Sequence, residues 1–184
     1  MSCSMKRILV LVEGPSDKGF VEDILKRLGL KPRVIVMRGN RPEKAVNHIK
    51  AQKGSYDKAV ILKDLHEREE TVVKRLLERI YSKLKETGEE TSKIRCVVVR
   101  RAIESWFLAD PEALEKTLGC RVNVGDPEEI SDPSQYLNQE LEKHGKHYIK
   151  SMEISRRIAR KINIEIARRR SKSFNEFIET VTDC

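Results

Sequence analysis

The sequence predicts an α/β chain: a central, mostly parallel four-stranded sheet flanked by helices, followed by a C-terminal helical extension. Three observations carry that expectation. Continuous apolar runs recur, as in Ile8 to Val12 and Val97 to Val99. Amphipathic stripes stand between them, and glycine or proline marks many of the junctions. At 184 residues one hydrophobic core is expected, with residues 1–118 forming the α/β core and 119–184 a linker and basic helical extension packed on it.

The elements follow in order. Ile8 to Val12 is apolar throughout and ends at Glu13-Gly14-Pro15, the pattern of a strand buried on both faces. Ser16 stands where an N-cap belongs, and Phe20, Val21, Ile24, Leu25 and Leu28 form a helical stripe that stops at Gly29. The unit repeats: Arg33 to Met37 is strand-like, Arg41 to Lys53 helical, Lys58 to Lys63 a strand, Glu69 to Thr87 a long helix, and Ile94 to Val99 a fourth strand. Successive βα units require a parallel sheet, because each crossover needs a helix to bring the chain back. Ile103 to Leu118 reads as one or two short helices, Gly119 to Pro133 as a linker, and Ser134 to His144 as a helix. Ser151 to Arg170 reads as a single helix, with Ile154, Ile158, Ile162 and Ile166 spaced four apart.

The formal net charge is +8, and it is localised. Residues 146–172 hold ten basic side chains against two acids, which leaves 27 of each sign elsewhere. Such a segment suits a polyanion, so Lys150, Arg156, Arg157, Arg160 and Lys161 are candidate nucleic-acid contacts. The alternative is a solvated helix. Cys3, Cys96, Cys120 and Cys184 form no Cys-x-x-Cys pair, which argues against structural zinc and against a disulfide framework. No apolar stretch approaches the roughly 20 residues of a membrane span, and Met1 to Arg7 is too short for a signal peptide, so no membrane association and a cytoplasmic location are expected.

Ligands of open parallel sheets bind beyond the carboxyl ends of the strands. Glu13 follows the first strand and Asp64 the third, so two distant acids are expected to meet at one rim. Asp17 lies one helical turn after Glu13, and Glu104 follows the fourth strand. Four carboxylates converging without a lysine among them would call for a hard cation with oxygen ligands. The alternative for Asp17 and Glu104 is helix capping.

At these residues a resemblance becomes specific. Leu11-Val12-Glu13-Gly14-Pro15-Ser16-Asp17 resembles the first motif of Toprim domains, in the form seen in OLD-type nucleases, and Leu62-Lys63-Asp64-Leu65-His66 stands where those domains carry Asp-x-Asp. Ala102 to Asp110 and Ser171 to Phe177 resemble segments of a family of small standalone Toprim-like proteins of unknown function. The resemblance implies a Rossmann-like Toprim core and metal-dependent phosphoryl transfer on DNA or RNA. It implies Glu13 as metal ligand or general acid/base, Asp64 as direct ligand of one or two Mg2+ or Mn2+ ions, and Asp17 and Glu104 as further ligands or orienters of water. Lys150 would neutralise the phosphate in the transition state.

The second aspartate of Asp-x-Asp is His66 here, with Glu67 beside it. Either His66 is a ligand and the metal preference moves toward manganese, or Glu67 substitutes, or the site has lost activity. A non-catalytic nucleic-acid-binding or defence-system subunit, with or without a partner ATPase, is the alternative function. No nucleotide cofactor is expected, because Phe20 and Val21 stand where a P-loop needs Lys and Ser/Thr. Trp106 and Phe107 read as core, and His144 and His147 as surface residues.

Overall fold

The computed structural model describes residues 6–39, 41–66 and 68–183. Four strands, β1 (Arg7–Val12), β2 (Lys31–Val36), β3 (Lys58–Asp64) and β4 (Ile94–Val99), form one sheet in the order β2-β1-β3-β4, with every neighbouring pair parallel. The sheet is therefore wholly parallel, where "mostly" was expected. The central strands are buried on both faces, as their unbroken apolar runs require.

The crossovers are α1 (Pro15–Arg27), α2 (Pro42–Ala51) and α3 (Glu70–Glu86). Leu9, Leu11, Ala59 and Ile61 pack against α2 and α3 on one face. Ile8, Val10, Val12, Val60 and Leu62 pack against a much larger apolar mass on the other. That mass contains α1, α4 (Glu104–Leu108), α5 (Pro111–Leu118), α6 (Pro133–Glu142), α7 (Met152–Lys161), α8 (Ile164–Arg170) and α9 (Lys172–Thr182). The C-terminal region thus completes the core. Trp106 is fully buried, stacked 5.3 Å from Phe177 and edge-on 5.2 Å from Phe174, and its indole N–H donates to Ser173 Oγ at 2.9 Å. Glu128 accepts from Ser171 Oγ, Ser173 Oγ and Ser173 N, each at 2.8 Å, and so ties the 119–132 loop to the start of α9. The segments 102–110 and 171–177 hold one another in place.

Two local expectations are corrected. Ser151 to Arg170 is two helices, because Ile162 leaves helical geometry at ψ 134° and Asn163 caps α8, accepting from the amides of Glu165 and Ile166. The residues after it form a further helix, α9, capped by Ser171. The N-cap of α1 is Gly14, two residues before Ser16. Ser16 is buried instead, bonded to Ser155 Oγ at 2.6 Å.

That bond marks the crossing of α1 and α7, where Gly19 is the point of closest approach. A Cβ on Gly19 would lie 2.7 Å from both Cγ and the backbone oxygen of Met152. Backbone cannot retreat cheaply, so Gly19→Ala is expected to destabilise the protein by about 1–3 kcal/mol. Urea unfolding checks this: the midpoint should fall at unchanged slope. An unshifted midpoint would mean that the two helices slide apart at no cost.

Candidate metal centre

The strand ends deliver the acids. The pleat puts Leu9, Leu11 and Glu13 on the side of α2 and α3, and Leu62 and Asp64 on the other, so the cluster straddles the C-terminal rim of the sheet. One ligand-capable atom from each of Glu13, Asp64 and His66 lies within 4.8 Å of the other two. The His66 Nε2 atom is 3.4 Å from Glu13 Oε2 and 3.9 Å from Asp64 Oδ2. His66 reaches back over the carboxylates because its backbone is left-handed, at φ 50°. Its amide donates to Arg101 O at 2.7 Å, and Arg101 Nη1 returns a bond to His66 O at 3.0 Å. The loops after β3 and β4 lock each other.

Asp17 and Glu104 form a second shelf of acid outside that tight triplet. Asp17, in the first turn of α1, accepts from Gly14 N through Oδ2 at 2.8 Å. Glu104 opens α4 and is fully buried. Its Oε1 accepts from Tyr148 O–H at 3.1 Å and pairs with Lys150 Nζ at 3.0 Å. Tyr148 and Lys150 come from an irregular strap, residues 146–150, that crosses the site with alternate side chains turned inward. Ile149 between them is 72% exposed.

Two lysines enter the site, which corrects the expectation of carboxylates converging without one. Lys150 is the first. Lys63 is the second: it is buried on β3, with its ammonium 2.9 Å from Glu13 Oε1. A signal for it was present, since a lysine closing a strand buried on both faces must find an acid. Tyr148 carried no such signal, because only the course of the strap turns it toward Glu104.

The electrostatics divide the acids. Burial alone would raise the Glu13 carboxyl, but hydrogen bonding to His66 and the charge and hydrogen bond of Lys63 outweigh it and hold Glu13 down at about 2. Asp17 is pushed up to about 6 by burial, against Lys150 and the Gly14 amide and with the neighbouring charges of Glu104 and Glu13. Asp64 goes well above the usual carboxylate range, through burial first and then the charges of Asp17 and Glu13. Burial disfavours the Lys150 ammonium, yet Glu104 and Asp17 hold its pKa above normal. The same burial, with Glu104, raises the Tyr148 phenol. Two buried oxygens remain without a hydrogen-bond donor, Asp17 Oδ1 and Glu104 Oε2, whereas Glu13 Oε1 faces the Lys63 ammonium. Orphaned carboxylate oxygens beside two oxygens and a nitrogen within 4.8 Å fit a divalent cation.

Next to the acids lies a cavity of about 510 Å³, lined by His66, Arg68, Arg101, Glu104, Lys150 and residues 131–134. The other basic candidates lie elsewhere. Arg156 pairs with Glu22 and, at 2.7 Å, with Asp23. Arg160 reaches Asp23 at 2.8 Å, Arg157 donates to Thr117 O at 3.1 Å, and Lys161 to Lys116 O at 2.6 Å. The segment that looks like a polyanion footprint staples α7 to α1 and α5. Glu67 lies outside the described residues. His144 and His147 are exposed, and Trp106 and Phe107 are core.

A family model, Domain of unknown function (DUF4276), matches residues 12–182, nearly the whole chain. The chain belongs to this family. No curated protein and no solved structure is similar enough to match. The DUF4276 match runs from the last residue of β1 to the end of α9 and so includes the acids, the strap and the aromatic clasp. No helix among the described residues is long and apolar enough to cross a membrane.

Proposed function

We propose that the chain is a metal-dependent phosphoryl-transfer protein of Toprim type, a nuclease acting on DNA or RNA. The observation that carries this reading is the cluster of Glu13, Asp64 and His66 ligand atoms within 4.8 Å, with the donor-less buried oxygens of Asp17 and Glu104 beside it, at the rim where parallel sheets bind ligands. Glu13, Asp64 and His66 would hold one Mg2+ or Mn2+ ion, with Asp17 and Glu104 binding its waters. When bound, the ion supplies Lewis acidity and lowers the pKa of a water. Lys150, exposed on one side and fixed by Glu104 on the other, is placed to neutralise charge growing on a phosphate in the adjoining cavity. Tyr148 holds Glu104 in position. Lys63 supplies a fixed positive charge beside Glu13, which supports one ion where two would otherwise be needed.

That same ion pair favours a second reading, a non-catalytic nucleic-acid-binding subunit whose site is already neutralised by lysine. Manganese titration by calorimetry separates the two. Wild type is expected to bind about one ion per chain and to cleave a labelled DNA or RNA panel. Glu13→Gln should lose at least about tenfold in affinity together with the cleavage. Binding unchanged by Glu13→Gln, with no hydrolysis in any metal, would establish the non-catalytic reading.

A further inference from the structure

Among the described residues, three that are not glycine have a left-handed backbone: Arg38 at φ 53°, His66 at φ 50° and Arg101 at φ 69°. Each stands two positions beyond the end of a strand, β2, β3 and β4 respectively. Such conformations are strained for a residue with a Cβ and persist where surrounding structure over-determines them. All three lie at the rim that carries the acids, and all three side chains are basic or imidazole.

The rim holds further cations. Arg41 opens α2 just after the β2 turn, and Arg100 directly follows β4; both are exposed, as is Arg38. The side chains of Arg38, Arg41 and Arg100 have no hydrogen-bond or ion-pair partner among the described residues. This is the reverse of Arg156, Arg157, Arg160 and Lys161, each of which has a partner on α1 or α5. The Arg38 turn is also braced, because Lys44 donates to the Arg38 carbonyl. A braced turn that presents an unpaired guanidinium spends backbone energy on a charge the fold does not use.

We infer that a nucleic-acid strand crosses this rim from β2 to β4, its phosphates gripped by Arg38 and Arg41 on one side of the acid cluster and by Arg100 and Arg101 on the other. Apart from Lys150, which faces the acid cluster, the basic C-terminal segment takes no part. Four adjacent strands span about 14 Å across the sheet, and a B-form strand carries a phosphate every ~3.4 Å of axis. The rim therefore matches a short run of phosphates, the middle of the run over Glu13 and Asp64. A repeating phosphodiester is the ligand this geometry selects, because cations at both ends of the rim cannot be engaged by a mononucleotide. The inference deepens the nuclease reading and rests on it for the direction of the strand over the acids.

The test uses the full chain in EDTA, so that binding is read without metal or cleavage. Fluorescence anisotropy with a labelled single-stranded 20-mer, as DNA and as RNA, measures log K against log salt. The triple variant Arg38→Gln, Arg41→Gln, Arg100→Gln is expected to reduce the slope by about two units, from ~0.7 per phosphate contact on single strands, and to weaken binding at least about tenfold. Arg41→Gln and Arg100→Gln singly, which leave the left-handed turns untouched, should each remove about 0.7. The pair Lys161→Gln, Arg169→Gln deletes charge from the C-terminal segment and should leave the slope as it was. Equal losses from the rim and C-terminal variants, or no loss from the rim variants, would overturn the inference. If manganese binding and hydrolysis survive that result, the nuclease reading stands without it. DNA bound better than RNA, or the reverse, names the substrate while preserving the track.

Discussion

Asp64→Asn is expected to abolish divalent-cation binding and at the same time to stabilise the metal-free protein. Asp64 is 5% exposed, and burial followed by the charges of Asp17 and Glu13 pushes its carboxyl well above the usual range. In the absence of a cation its negative charge is therefore a liability. Asparagine keeps the shape, removes the charge and leaves a poor ligand. The substitution should raise stability in EDTA at neutral pH by about 1–3 kcal/mol, the scale of an incompletely satisfied buried polar group. Manganese at 100 times its Kd should stabilise wild type by about 2.7 kcal/mol and the variant by nothing. Denaturant midpoints with and without manganese read all four quantities. A variant that unfolds earlier than wild type in EDTA would show that Asp64 is a structural residue with satisfied partners, and the metal assignment would fail with it.

The fold was legible because a parallel sheet writes itself plainly: strands buried on both faces have no polar alternation to confuse with a helix, and each is followed by a stripe at helical spacing. Glu13 and Asp64 were legible for the same reason, since the ends of such strands define the rim. What escaped lies where local sequence does not determine geometry. Ile154, Ile158, Ile162 and Ile166 keep helical spacing straight through a break, and only the Asn163 cap interrupts the backbone. The charge count over 146–172 did not show that Arg156, Arg157, Arg160 and Lys161 have partners within the fold. Glu22 and Asp23 of α1 face Arg156 and Arg160 across more than 130 residues of sequence, a pairing no window could reveal. The left-handed turns at His66 and Arg101 had no glycine to announce them, and Gly39 marks the turn at Arg38 without showing that Arg38 itself is left-handed, so the rim carrying the unpaired arginines could not be seen.

The left-handed turn at His66 also makes its substitution unusually clean. Aspartate is among the few residues that tolerate this conformation, so His66→Asp restores the Asp-x-Asp pattern without disturbing the bond from the residue-66 amide to Arg101 O. In the metal-free protein His66 Nε2 lies at hydrogen-bonding range of Glu13 Oε2, so a neutral ring would carry its proton there. Binding a cation requires that proton to move to Nδ1, after which Nε2 offers a borderline nitrogen that manganese accepts well and magnesium poorly. The carboxylate of the variant needs no such exchange and presents hard oxygen. Wild type is therefore expected to bind manganese at least about tenfold more tightly than magnesium, and His66→Asp to narrow that ratio by about tenfold, mainly through tighter magnesium binding. Competition calorimetry with the two ions measures the ratio directly, and hydrolysis rates in each metal should follow it. An unchanged ratio would remove His66 from the coordination sphere and leave Glu13 and Asp64 to hold the ion with water in its place.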